Sequence, residues 1–153
     1  MAVVRDPTPP VIAPQALVEV CFCHHARRTA RAITRIFDEA LQPVGLKASQ
    51  FNILAMIAAH NGASTAEISR LLSLDRTTLS RNLKPLQSAG YLTAQGGAGR
   101  RPDALALTAA GRSMFDQAAV RWQTAQSGLT ERLGAGQAGV LLQTLENAAL
   151  TIG

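Results

Sequence analysis

The stretch Ser73-Leu74-Asp75-Arg76-Thr77-Thr78-Leu79-Ser80-Arg81-Asn82-Leu83-Lys84-Pro85-Leu86-Gln87-Ser88-Ala89-Gly90 decides the reading of this sequence. Asp75 is a strong N-cap residue, because its carboxylate accepts the free amide hydrogens of a first helical turn. Gly90 suits the position just past a helix, since it enters the left-handed conformation without a Cβ clash. A helix is therefore predicted from about Asp75 to Ala89, and its faces separate cleanly. Leu79, Leu83 and Leu86 recur on one side, while Thr77, Arg81, Lys84 and Ser88 fall on the other, flanked by Thr78 and Ser80. One face packs and the other is left polar and basic. Pro85 has no N–H for the Arg81 carbonyl, so a bend of this helix near its outer face is expected.

Upstream, Ser64-Thr65-Ala66-Glu67 has the form of a capping box for a short helix reaching about Leu72, with the turn residues His60-Asn61-Gly62 before it. Two short helices joined by a tight Ser73-Leu74 turn, the second with a basic outer face, have the form of a helix-turn-helix, whose second helix enters the DNA major groove. Before them, Phe51, Ile53, Leu54, Met56 and Ile57 give a helix near Ser49 to Ala59 that is apolar all round and so belongs in the core. From Gln15 to Gln42 the pattern is one long helix, with Ile33, Ile36, Phe37, Ala40 and Leu41 at helical spacing, ended by Pro43 and Gly45. Its length exceeds what one small lobe covers, which makes it the first dimerisation candidate.

Downstream, Tyr91 to Gln95 and Asp103 to Leu107 read as two short strands around the loop Gly96-Gly97-Ala98-Gly99-Arg100-Arg101-Pro102. This is a β-hairpin wing, and a basic loop beside a seated helix reaches the neighbouring minor groove or backbone. Thr108 then caps a long helix to about Leu133, with Phe115, Ala118, Ala119 and Trp122 as its apolar stripe. Gly134 and Gly136 are read as its break, and a last helix near Gln137 to Leu150 carries Val140, Leu141, Leu145 and Ala148.

Composition agrees with this outline. The 153 residues are 47% hydrophobic but only 4% aromatic, so the core is built from Ala, Leu, Ile and Val, which favours helices. From Arg70 to Arg101 six bases, Arg70, Arg76, Arg81, Lys84, Arg100 and Arg101, face the single acid Asp75, an excess equal to the whole formal net charge of +5. Charge concentrated in this way is the footprint of a polyanionic partner. The Pro-rich segment Met1 to Pro14 lacks both a basic leader and a long apolar run, and is read as a flexible arm of a cytoplasmic protein. No phosphate-binding loop occurs, and His24, His25 and His60 stand in no catalytic motif, so neither an enzyme nor a cofactor is expected.

Cys21-Phe22-Cys23-His24-His25 is the remaining chemically rich segment. On a continuous helix Cys21, His24 and His25 share one face and could approach a soft metal, although a complete site needs further ligands, and no metal site is assigned. Cys21 and Cys23 are candidate sensors, through metal or through oxidation across a dimer, against the simpler reading that they pack.

The order of these segments resembles the MarR-type winged helix-turn-helix transcriptional regulators. The residues carrying the resemblance are Gly45-Leu46, Gln50-Phe51 and Leu54, then Leu74 through Leu83, Leu86 with Gly90-Tyr91-Leu92, and Arg100-Arg101 leading to Leu105-Ala106-Leu107-Thr108-Ala109-Ala110-Gly111. The resemblance implies a mainly α fold with a small β-hairpin wing. It divides the chain into a Pro-rich arm at 1–14, a dimerisation helix at 15–45, a DNA-binding lobe at 46–108, and C-terminal helices at 109–153 completing the dimerisation region. It implies a homodimer on a pseudo-palindromic operator, acting as a repressor released by a small ligand or by thiol modification. Metal or redox sensing, or an adaptor that has lost DNA binding, are the alternatives.

The implied DNA-contacting residues are Arg76, Thr77, Thr78, Ser80, Arg81, Lys84, Arg100 and Arg101. Arg81 is placed for guanine or phosphate, and Arg76 for phosphate or for packing against the lobe. In the family an acid usually stands two residues before the wing arginine; here that position is Gly99, which predicts a looser wing. Family members bind small aromatic or anionic ligands between the dimerisation region and the lobe, so Phe22, Phe37, Met56 and Trp122 become candidate ligand or packing residues. Arg27, Arg28 and Arg31 become candidate receivers of a carboxylate.

Overall fold

The computed structural model describes residues 12–94 and 103–152, in two units that meet at Thr34 and Arg35. The predicted arm falls mostly outside the described residues, but Pro14 itself opens a helix. In the first unit α1 runs from Pro14 to Val20 with the proline in its first turn, where the missing N–H costs nothing. The single helix expected over Gln15 to Gln42 is interrupted at Cys21, which is extended with φ −77° and ψ 108°, and α2 (Phe22–Leu41) starts afresh.

Cys21 behaves as a cap. Its Sγ accepts the His24 N–H at 3.4 Å, its carbonyl accepts the His25 N–H at 3.1 Å, and the His25 ring nitrogen Nε2 lies 3.0 Å from the Glu19 carbonyl across the break. The β-branched Val18 and Val20 just before it are weak helix formers, which lowers the cost of breaking there.

In the second unit α2 ends in a 3-10 turn over Gln42–Val44, and Gly45 takes the left-handed conformation at φ 72°. The helices α3 (Ala48–Ala59), α4 (Thr65–Leu71) and α5 (Arg76–Ser88) follow, then the strands β1 (Leu92–Ala94) and β2 (Leu105–Leu107), then α6 (Ala109–Leu133) and α7 (Ala135–Ile152). The strands are antiparallel, with Leu92 opposite Leu107 and Ala94 opposite Leu105, and a bridge from Ser64 to Ala104 ties α4's cap to the same ribbon. Only Gly134, at φ 79°, separates α6 from α7; Gly136, expected in the break, lies inside α7, which starts two residues earlier than predicted. Among the described residues no helix is long and apolar enough to cross a membrane.

The core centres on α3, whose Phe51, Ile53, Leu54 and Ile57 are all buried. Leu41 and Leu46 close it on one side, Ile68, Leu79, Leu83 and Leu86 on another, and Leu92, Leu105 and Ala118 complete it. Four of the six aromatics gather in one stack: Phe51 lies 5.6 Å from Phe115 and 6.1 Å from Trp122, and Trp122 lies 6.3 Å from Phe37. Phe22, 93% exposed in the single chain, takes no part in this core.

The junction of β1, β2 and α6 is tight. Thr108 accepts the Gly111 N–H on its hydroxyl at 3.0 Å while that hydroxyl donates to the Gly90 carbonyl at 2.7 Å, and its own N–H donates to the Tyr91 carbonyl at 3.0 Å. Gly111 sits so close that a Cβ there would stand 2.0 Å from the Tyr91 carbonyl oxygen.

Candidate nucleic-acid interface

Both predicted caps of the helix-turn-helix form. The Ser64 hydroxyl accepts the Glu67 N–H at 3.2 Å and a Glu67 carboxylate oxygen accepts the Ser64 N–H at 2.8 Å, which closes the capping box. The turn into α5 places Ser73 at φ 50°, an unusual conformation for a residue with a Cβ. It is held by bonds from the Leu74 N–H to the Ser69 carbonyl at 2.9 Å and from the Ser69 hydroxyl back to the Leu74 carbonyl. These bonds tie the residue before the Asp75 cap back to α4.

Asp75 then caps α5 twice over. One carboxylate oxygen accepts the Thr78 N–H at 2.8 Å and the other the Thr78 hydroxyl at 2.7 Å. These bonds stabilise the charged carboxylate, the Thr78 hydroxyl foremost, and hold the Asp75 pKa below its ordinary value. Gly90 follows at φ 72° as the left-handed stop, and α5 runs through Pro85 without breaking.

Leu79, Leu83 and Leu86 are buried, and Arg76, Thr77, Ser80, Arg81 and Lys84 line a shallow depression on the exposed side of α5. Thr78, expected among the outward polar residues, is half-buried and its hydroxyl serves the Asp75 cap. Gly99, Arg100 and Arg101 of the wing lie outside the described residues, while its two strands form as expected.

The continuous helical face expected to carry Cys21, His24 and His25 does not form, because the chain breaks at Cys21. Among the described residues no group of three or more His, Cys, Asp or Glu side chains could hold a metal ion. Cys21 is half-buried and Cys23 exposed, both as free thiols.

In the second unit a groove of about 450 Å³ runs between the end of α2 and the second half of α6. It is lined by the apolar or small residues Ile36, Ala40, Ala125, Gly128 and Leu129, together with Glu39 from α2 and Arg121, Thr124 and Arg132 from α6. Arg27, Arg28 and Arg31, the candidate receivers of a carboxylate, are all exposed on the first unit's part of α2. Arg121, Ala125, Gly128 and Arg132 recur at three- and four-residue steps, a stripe that periodicity could have revealed.

A capped two-helix motif with a tight turn, a basic outer face on its second helix and an antiparallel ribbon immediately after define a winged helix-turn-helix protein. Comparison with known proteins agrees. A family model described as the MarR family matches residues 44–101. In Mycobacterium tuberculosis the transcriptional regulator MosR, solved in complex with DNA, is 32% identical with a TM-score of 0.71, covering 86% of this chain and 97% of that one. The transcriptional repressor CouR bound to p-coumaroyl-CoA is 25% identical with a TM-score of 0.80, covering 90% and 98%. An uncharacterised HTH-type transcriptional regulator of Bacillus subtilis, YwoH, is 26% identical over 98 residues, 64% of this chain and 72% of its own. The chain belongs to the MarR family of transcriptional regulators.

Proposed function

We propose that this chain is a homodimeric, sequence-specific DNA-binding repressor, with α5 as the recognition helix. The observation that carries this reading is the division of α5: three leucines seat it in the core while Arg76, Thr77, Ser80, Arg81 and Lys84 converge on its open face. Each of these side chains is a hydrogen-bond donor, and arginine in the major groove pairs bidentately with guanine. Arg81, mid-helix, serves specificity, while Arg76 and Lys84 at either side serve phosphates and register. Arg100 and Arg101 of the wing add backbone or minor-groove contacts. Two such helices in a dimer would enter successive major grooves about 34 Å apart. The DNA complexes of MosR and CouR support the reading.

Release of DNA is assigned to a ligand in the groove between α2 and α6. Its apolar lining with Arg121 and Arg132, two arginines against the one acid Glu39, suits an amphipathic anion, and the p-coumaroyl-CoA complex of CouR supports an effector of that general kind. Such a ligand acts only by binding one dimer spacing better than another. A second mode is favoured by Cys21, whose thiol caps α2 at the break. Oxidising or alkylating it would remove that cap.

The test is a gel-shift assay on the DNA upstream of the protein's own gene across a salt series. Saturable binding that weakens steeply with salt is expected. Absence of salt-sensitive binding to every promoter fragment would overturn the reading and favour an adaptor.

A further inference from the structure

Lys47 stands at the N-cap of α3, where its ammonium offers no acceptor for the free amides of the first turn. The deficit is met from another helix. Asp38 Oδ1, on the last turns of α2, accepts the Ala48 N–H at 2.7 Å, and Gln50 Oε1 accepts the Lys47 N–H at 2.9 Å. One residue further, the Ser49 hydroxyl donates to Asn82 Oδ1 at 2.8 Å, and the other half of that amide, Nδ2, donates to the Thr78 carbonyl at 2.9 Å. Thr78 is itself fixed by the Asp75 carboxylate. A connected path therefore leads from α2, through the first turn of α3, to the capped start of α5.

We propose that Asp38, Ser49 and Asn82 form a strut that sets the rotation of the recognition helix, which makes them positioning residues for DNA reading. The proposal rests on α5 being the DNA-reading helix. Leucine packing beneath α5 is non-directional and tolerates small rotations, whereas a hydrogen bond weakens steeply with angle. A rotation of about 10° displaces a side-chain tip about 6 Å from the helix axis by about 1 Å, beyond the tolerance of a positioned contact. Asn82 is a weak helix former in mid-helix, next to Arg81, and the two bonds of its amide account for its presence. Glu39 and Ala40, which line the groove between α2 and α6, adjoin Asp38 in sequence, so a ligand that shifts the end of α2 moves the near end of the strut.

The experiment compares Asp38→Ala, Asp38→Asn, Ser49→Ala, Asn82→Ala and the double variant Asp38→Ala/Asn82→Ala on the operator and on a scrambled duplex. Amide exchange of α5 is measured alongside on the free proteins. Each alanine variant should bind the operator about five- to tenfold more weakly, Asp38→Ala and Ser49→Ala through the loss of one hydrogen bond and Asn82→Ala through the loss of two, with less than a twofold change on scrambled DNA. Asp38→Asn, which keeps a neutral acceptor, should retain most of the affinity, and the double variant should lose no more than the weaker-binding single variant. Ser49 is exposed on α3, so Ser49→Ala reports positioning without endangering the fold.

In the free protein Asp38→Ala should accelerate exchange at the Leu79 to Leu83 amides. Unchanged exchange there, multiplying losses in the double variant, or equal losses on operator and scrambled DNA would each overturn the strut. If the unaltered protein bound no duplex, the DNA-binding reading would fail, and the exchange measurement would still decide the strut.

Discussion

Gly111→Ala is the sharpest perturbation the structure offers, because two physical effects predict opposite signs. Inside a helix this exchange ordinarily stabilises by up to about 1 kcal/mol, since alanine restricts the unfolded chain. Here the added Cβ would stand 2.0 Å from the Tyr91 carbonyl oxygen, 2.8 Å from its carbonyl carbon and 3.1 Å from its Cα, all of them backbone atoms. Ordinary contact requires at least about 1 Å of separation between the start of α6 and β1's approach, and overpacking of this kind costs about 1–3 kcal/mol. That movement also stretches the bonds from Thr108 to the Gly90 and Tyr91 carbonyls, each worth about 1 kcal/mol.

Steric and hydrogen-bond losses outweigh the helix gain, for a net destabilisation of about 2–4 kcal/mol, or a Tm lower by roughly 5–15 °C for a chain of this length. Thermal and urea unfolding at one fixed protein concentration measures it, because association shifts apparent stability. Gly128→Ala, in the same helix with nothing within 4 Å of its Cβ, is the control and should be neutral or stabilising. A Gly111→Ala variant as stable as the parent would refute the close approach on which the seating of the wing depends.

The remaining expectations concern recognition and its switch. Arg81→Ala should cost about 1–3 kcal/mol of operator affinity and relax sequence preference, whereas Arg101→Ala should weaken all duplexes evenly and lower the salt slope by about 1; quantitative titrations across salt distinguish them. The Asp75 pKa is lowered in the folded chain, so its cap contributes stability that is present above the unfolded value and lost as pH falls through the folded one. Asp75→Ala should therefore differ from the parent at neutral pH, and the difference should shrink on acidification; a difference in Tm that grew instead would contradict the cap. Replacing Cys21 and Cys23 by Ser should abolish any release of DNA by oxidant, and persistent release from that variant would remove the thiols from the mechanism.

Much of the DNA-binding half was legible because its signals are local. The capping box of Ser64 and Glu67, the Asp75 cap and the Gly90 stop each act within four residues, and the leucine spacing of α5 is a property of the helix alone. The long first helix was misread for a related reason. Periodicity runs across Val20 and Cys21 without interruption, yet a thiol that caps the next turn and two β-branched neighbours suffice to break the chain there. Lys47 was the overlooked signal on the other side: a helix start without an acceptor asks for one from elsewhere.

The sequence by itself determined a mainly helical chain, the two caps and turn of the helix-turn-helix, the ribbon after it and the basic outer face of α5. Only the tertiary structure decided that Asp38 caps α3, that Asn82 meets Ser49, that Gly111 abuts Tyr91, and that Phe37, Phe51, Phe115 and Trp122 form one stack. The physical reason is distance along the chain. Caps and periodicity are written between neighbours, whereas these contacts join residues brought together by the packing of α2, α3, α5, β1 and α6, and no local propensity specifies which surfaces meet.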